Sequence, residues 1–303
     1  MSRGGAEHEL RSGPYRASVT EVGAGVRSLT ADGRDLVVPY AAGAVRPLAR
    51  GSLLIPWPNR IADGRYRFDD VAHQLPLNEP DRRCALHGLL LDVRSETVRA
   101  SADEVVLTHR LVPRPGYPFD LEVQVHYRLD DDGLHTQVRA RNVGTARAPY
   151  GVGPHPYLRG GRGRVDDWSV QVPAGTIIEV DERLLPEATV AAAGHALDLR
   201  DRRTLAGLEI DHCYGALEAR TDGHVEVSVL DADGVGATCR WDPAVLPWVQ
   251  VHTADRPEPD AHRVGLAIEP MTCPPDAFNS GVDLAVLEPG EEHTATWTIA
   301  AVG

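Results

Sequence analysis

Apolar side chains at every second position, broken at short intervals by turn residues, constrain this chain more than any other feature. From Phe119 to Leu129, the residues Leu121, Val123, Val125, Tyr127 and Leu129 alternate with Glu122, Gln124, His126 and Arg128. Asp130-Asp131-Asp132-Gly133 then turns the chain, and Leu134, Thr136, Val138 and Ala140 resume the alternation. Successive side chains of a strand point to opposite faces, so this reads as a β-hairpin with one wet face.

The same pattern returns over His224–Leu230, which turns at Asp231 to Gly234, and over Thr294–Ile299. Gly64–Phe68 and Val71–Leu75 read as a short hairpin across Asp69-Asp70. Further short strands are expected at Glu104–Leu111, Ser169–Val172, Leu208–Leu217, Trp248–Thr253 and Val264–Ile268. Helical periodicity is weak, and 23 Pro with 29 Gly leave few gaps that hold a full helix. Residues 159–164 read as a Gly/Arg loop tip and residues 184–194 as an Ala-rich loop. No fixed-period repeat and no linker divides the chain. The expectation is all-β: one large sandwich or barrel over residues 1–303.

Charge narrows the partners. The 44 acidic residues outweigh 31 basic ones, a net charge of −13. Such a chain repels phosphate backbones and anionic lipid, so neither a nucleic acid nor a membrane is expected as partner. Every basic residue of this type is arginine, which removes Schiff-base and P-loop lysine chemistry. Cys84, Cys213, Cys239 and Cys273 form no CxxC pair and read as free thiols of a reducing cytosol. The stretch Met1–Gly13 is polar, without the apolar core of a signal peptide. A cytoplasmic protein is the expectation.

Three segments combine reactive side chains with a rigid Pro/Gly backbone. In the first, Asn59 and Arg60 follow Pro56-Trp57-Pro58, and His87-Gly88 lies downstream. Arginine offers planar, multi-donor contact to hydroxyls. Trp57 could stack on a sugar face, and Gly88 would let a ligand approach the backbone. In the second, His155 stands between Pro154 and Pro156, which limit its backbone freedom. An imidazole titrates near neutrality and suits proton transfer, although such a residue can equally cap a turn. In the third, Glu269 ends the apolar strand Val264–Ile268, where desolvation would raise its pKa and make it a better base. A glutamate paired with one of the many arginines is the plain alternative. Asp211-His212 interrupts the strand Leu208–Leu217. His87, His155, His212 and Glu269 show no metal-ligand spacing, so no metal is expected. No G-x-S-x-G is present, which argues against a serine hydrolase.

Taken in order, these residues resemble the aldose 1-epimerase (galactose mutarotase) family. The resemblance runs from about residue 15 to the C-terminus. It rests on Asn59-Arg60-Ile61-Ala62, Gly64, Leu75, Asn78 and Leu86-His87-Gly88. It continues through Gly153-Pro154-His155-Pro156-Tyr157, Asp211-His212 and Gln250-Val251-His252-Thr253. Glu269-Pro270 and Pro275-Asp276-Ala277-Phe278-Asn279 complete it. It implies a galactose mutarotase-like β-supersandwich with its site in a cleft on one sheet. It implies an isomerase that interconverts the α and β anomers of a free aldose without a cofactor. Glu269 would take the anomeric O1 proton and His155 would protonate ring O5. His87 would bond near the anomeric centre, Arg60 and Asp211 would hold hydroxyls, and Asn59 would support them. Leu89 stands where the family often has a second glycine, Cys84 lies where an asparagine is common, and Met271-Thr272-Cys273 replaces a polar run. Galactose specificity is therefore not implied, and the sugar and the choice of monomer or homodimer stay open. A sugar-binding or sensing module without turnover is the competing class. A carbohydrate lyase or glycosidase is a third, and for a glycosidase only Glu269 and Asp211 could supply the carboxylate pair.

Overall fold

The computed structural model describes residues 5–303. Its architecture is two large antiparallel sheets packed face to face. The larger has nine strands, in the order Glu96–Ala100, Glu104–Leu111, Leu121–Asp130, Gly133–Asn142, Glu292–Val302, Gly236–Trp241, Val225–Leu230, Ser169–Val170, Arg203–Thr204. The smaller has six: Tyr157–Leu158, Leu266–Met271, Trp248–His252, Asp211–Leu217, Ala174–Val180, Pro186–Ala191. A four-stranded sheet, Glu7–Ser12, Tyr15–Thr20, Gly25–Ala31 and Arg34–Asp35, adds a further layer. This is the β-supersandwich that the resemblance implied, and it decides for the sandwich over the barrel that the alternation alone left open. The polar stretch Met1–Gly13 holds the first of these strands, and its residues 1–4 lie outside the described part.

The central hairpin follows the sequence closely. Leu121–Asp130 pairs with Gly133–Asn142 from Leu121↔Asn142 to Asp130↔Gly133. Leu121, Val123, Val125 and Tyr127 are buried, and Glu122, Gln124 and Arg128 are exposed. Arg65–Phe68 and Val71–Gln74 pair across Asp69 and Asp70, both at positive φ (47° and 63°). Two left-handed residues match the twist of a tight hairpin, and Asp tolerates that region.

The core lies between the sheets. Val225, Val227 and Val229 of the larger sheet join Ile177, Tyr214, Val249, Val251 and Ile268 of the smaller in one buried cluster. The smaller sheet therefore keeps its alternate residues for its other face. Two expectations fail here. Residues 184–194 are not simply a loop, because Pro186–Ala191 pairs with Ala174–Val180 as an edge strand. Its proline lies at the first position of an edge strand, where a missing N–H is tolerated. The strand expected over Val264–Ile268 instead spans Leu266–Met271, so Glu269 lies within it and not at its exit.

Candidate active site

Cross-strand register brings the candidate residues together. Asp211 pairs with His252, His252 with Ala267, and Ala267 with Tyr157. In the next row Cys213 pairs with Gln250, and Gln250 with Glu269. Side chains in register share a face, so Asp211, His252, Gln250, Glu269 and Tyr157 all stand on the side turned away from the core. Asp211 opens its strand and does not interrupt it. His212, one residue on, does not line the cavity, as period 2 requires.

His155 reaches the same place from an irregular segment. Its N–H donates to Ser52 O at 2.9 Å, and its carbonyl accepts from Gly51 N–H at 2.8 Å. The ring stacks on Tyr157, with centroids 5.1 Å apart, and meets the His87 ring edge-on at 5.0 Å. His155 Nε2 lies 3.4 Å from Glu269 Oε1. His87 is placed by a turn in which His87 and Gly88 both have positive φ (62° and 76°). A Cβ on Gly88 would sit 2.1 Å from Ile55 O. The glycine is thus required by chain packing against Ile55 and not by ligand approach.

Arg60–Ala62 pairs with Cys84–Leu86, which holds Arg60 at the cavity wall. Its Nε and Nη2 donate to the two carboxylate oxygens of Glu79 at 2.7 and 2.9 Å. Asn59 is buried beside it and accepts from Nη1 at 3.4 Å. Trp57 does not reach the cavity. It is buried against Tyr117 and Phe278, and its Nε1 donates to Ala85 O. The proline frame that was expected to present it to a sugar presents it to the core.

These side chains enclose a cavity of about 470 Å³ that Asn59, Arg60, His87, His155, Asp211 and Glu269 all line. His155 and Glu269 are 5% and 2% exposed. Within the cavity wall His87 Nδ1, His155 Nδ1, Gln250 Oε1 and Glu269 Oε2 are buried without a hydrogen-bond partner. Buried polar atoms are ordinarily satisfied, so these mark a place for a polar ligand. A larger hollow, about 600 Å³, lies on the outer face of the nine-stranded sheet. Its wall is already paired, as in His126 with Glu104 and His135 with Asp130, and it holds no such orphan atom.

Burial dominates the protonation of the pair. It pushes Glu269 well above the ordinary carboxylate value, and the nearby charge of Asp211 adds to that. It pushes His155 down to about 3, helped by repulsion from His252. His87 is driven well below the imidazole range by burial and by His155. Asp211 behaves differently. Burial raises it, but His252, Arg60 and a 2.7 Å hydrogen bond from Gln250 outweigh that and hold it low. Among these four groups, Asp211 is held toward its carboxylate, Glu269 toward its protonated carboxyl, and His155 and His87 toward their neutral imidazoles. Among the described residues no group of three or more His, Cys, Asp or Glu is arranged to hold a metal ion.

All six residues chosen from the sequence meet in this cavity. Gln250 and His252, quoted only within the resemblance, and Glu79 also line the cavity without having been singled out. Gln250 and His252 had a signal: they are the polar members of the alternation Trp248-Val249-Gln250-Val251-His252. Glu79 had none, because its pairing with Arg60 spans 19 positions.

Known proteins share this fold and family. The family profile for aldose 1-epimerase matches residues 7–300. YihR of Escherichia coli (strain K12), an uncharacterised protein, is 38% identical over 307 residues, covering 99% of this chain and 94% of its own. Galactose mutarotase of Rattus norvegicus is 35% identical over 151 residues, covering 47% of this chain and 42% of its own. Among solved structures, the aldose epimerase homologue from C. elegans superposes with a TM-score of 0.85 at 20% identity, covering 98% of this chain and 99% of that one. Galactose 1-epimerase from Lactobacillus acidophilus NCFM superposes with a TM-score of 0.79 at 18% identity, covering 96% and 92%. These structures share the fold. With the profile spanning nearly the whole sequence, the chain belongs to the aldose 1-epimerase family of isomerases.

Proposed function

We propose that this chain interconverts the α and β anomers of a free aldose, with His155 and Glu269 as its acid–base pair. The observation that carries this reading is their contact: two buried titratable groups 3.4 Å apart in a cavity with unpartnered polar atoms. Ring opening of a hemiacetal removes the O1 proton and protonates O5. Both oxygens are bonded to the same carbon, so two adjacent side chains can serve them at once. Glu269 takes the O1 proton while His155 donates to O5. Rotation about C1–C2 then presents the other face, and the two groups reverse roles to close the ring.

Burial favours the protonated form of Glu269, so a bound sugar has to shift that balance. A sugar hydroxyl donating to Glu269 Oε2 favours the carboxylate, and hydrogen bonding to a charged form lowers its pKa. Arg60 acts in the same direction. The proton is then available to His155 across the Nε2–Oε1 contact. Asp211, ionised and oriented by Gln250, and Arg60 Nη1 accept from and donate to sugar hydroxyls. His87 stays neutral beside His155 and offers a ring nitrogen near the anomeric centre. Asn59 supports Arg60. The reaction needs no cofactor. The whole chain acts as one unit, with a free sugar as partner and no nucleic acid or membrane involved.

The test is anomer exchange by saturation-transfer NMR on pure anomers of neutral, acidic and sulfonated sugars. Acceleration of at least one sugar is expected. Sugar binding without acceleration would overturn the enzymatic reading in favour of a binding module.

A further inference from the structure

Arg60 is fixed from two sides, and neither partner belongs to the acid–base pair. Its backbone is held by Asp276: Asp276 N–H donates to Arg60 O at 2.8 Å, and Ala62 N–H donates to Asp276 Oδ1 at 2.9 Å. Its guanidinium is held by Glu79 in a two-pronged pair, Nε to Oε2 and Nη2 to Oε1. Such fork-to-fork bonds are the strongest and most directional arginine contacts. Both side chains are largely shielded, at 8% and 15% exposure.

Glu79 is itself rigid. Its N–H donates to Cys84 O at 3.2 Å, and Cys84 N–H donates back to Glu79 O at 3.1 Å. Cys84 opens the strand that pairs with Arg60–Ala62. Arg82 Nη1 adds a further bond to Glu79 Oε1 at 3.2 Å. The carboxylate and the guanidinium therefore ride on one ribbon, and their relative position does not depend on the rest of the cavity.

We infer that Glu79 is a positioning residue for Arg60: it occupies Nε and Nη2, and with Asn59 Oδ1 at 3.4 Å taking one proton of Nη1, it leaves the other Nη1 proton for the sugar. The pairing fixes the direction of the guanidinium, so this end of the cavity recognises a hydroxyl-bearing part of the substrate by hydrogen bonds. The inference rests on the sugar-binding reading above. It goes beyond it by naming a residue that acts only through another.

A double-mutant cycle tests it, with anomer exchange as readout. Glu79→Ala should raise KM about tenfold, the size of one charge-assisted hydrogen bond, while kcat stays nearly constant. Glu79→Gln retains one acceptor and should recover part of the loss. In an Arg60→Ala background, Glu79→Ala should add less than about twofold, because its effect passes through the missing arginine. A merely structural role would add its full cost in both backgrounds and would not separate KM from kcat. Full additivity, or an unchanged KM, overturns the inference. If Glu79→Ala does not fold, Glu79→Gln in both backgrounds carries the same cycle. If the wild type binds a sugar without exchanging it, the enzymatic reading fails and the cycle is read in Kd. A wild type that neither binds nor exchanges any sugar overturns both.

Discussion

His155 Nε2 and Glu269 Oε1 stand 3.4 Å apart, and burial drives the two groups in opposite directions on the pH scale. Burial thus favours the protonated carboxyl and the neutral imidazole. In that state the pair holds a single proton between a donor and an acceptor. That is the inventory a reversible ring opening needs, because one group must give a proton while the other takes one. An ion pair in water would hold the same proton count but would lack the buried contact that makes transfer local.

Removing either member should stop proton transfer while leaving the fold. Glu269→Gln and His155→Asn are each expected to slow anomer exchange by at least about 10²-fold, the low end for a positioned acid or base. Arg60→Ala should instead raise KM more than it lowers kcat, since hydroxyl contacts exist in both ground and transition states. Saturation-transfer NMR on an accepted sugar reads all three. Exchange at the wild-type rate in Glu269→Gln would remove the base assignment.

The pH profile follows from the same pair. Below about 3 His155 also takes a proton, and no base remains. Above the raised pKa of Glu269 neither group carries one, and no acid remains. The one-proton state lies between. Exchange rates should therefore form a broad bell whose acid limb falls far below the ordinary imidazole value of about 6.5. An acid limb near that ordinary value would contradict the buried pair.

Much of this arrangement was legible in the sequence, for reasons that particular residues make plain. Leu121 to Leu129 alternates because one face of its strand is wet, so burial leaves a period of 2. Tyr15–Thr20 was not legible, because five of its six residues are buried and the alternation is lost. His155 and Glu269 were visible as polar groups beside proline. Their contact was not, because it depends on how the 153–158 segment lies against Leu266–Met271. Trp57 was misread for the same reason: a proline frame fixes an angle but does not say which side faces the solvent. Gly88 was read as an opening for ligand, yet the atom it makes room for is Ile55 O, 33 positions away in the sequence.

That glycine makes a direct structural prediction. At Gly88 an added Cβ meets Ile55 O at 2.1 Å, while at Gly207, also at positive φ, it meets nothing within 4 Å. Gly207→Ala should cost only the left-handed backbone penalty, about 1–2 kcal/mol. Gly88→Ala should cost clearly more, because the turn carrying His87 must move. It should lower Tm further and also slow exchange, whereas Gly207→Ala leaves exchange intact. Paired denaturation and NMR measurements decide it. Equal losses of stability would show that the Ile55 contact is not tight.

The acid–base pair should also be paid for in stability, with a sign that depends on pH. Unfolded, the Glu269 carboxyl ionises from its ordinary value of 4.5 upward; folded, it stays protonated to higher pH. Between those values the unfolded state binds fewer protons, so wild-type stability falls as pH rises. Glu269→Gln has no proton to lose and escapes this penalty. Its Tm advantage over the wild type should be small near pH 4, grow through neutrality, and level off above the folded pKa. His155 has the opposite sign. Unfolded it takes a proton below 6.5, whereas folded it resists until about 3, so wild-type stability falls as pH drops through that window. His155→Asn should gain Tm in acid and little above neutrality. Each kcal/mol relieved corresponds to a shift of roughly 1–2 °C in a chain of this size. Thermal melts of the three proteins between pH 4 and pH 9 give both curves. A Tm difference that stays constant with pH in either variant would mean that its residue titrates alike folded and unfolded, and the buried pair would lose its electrostatic basis.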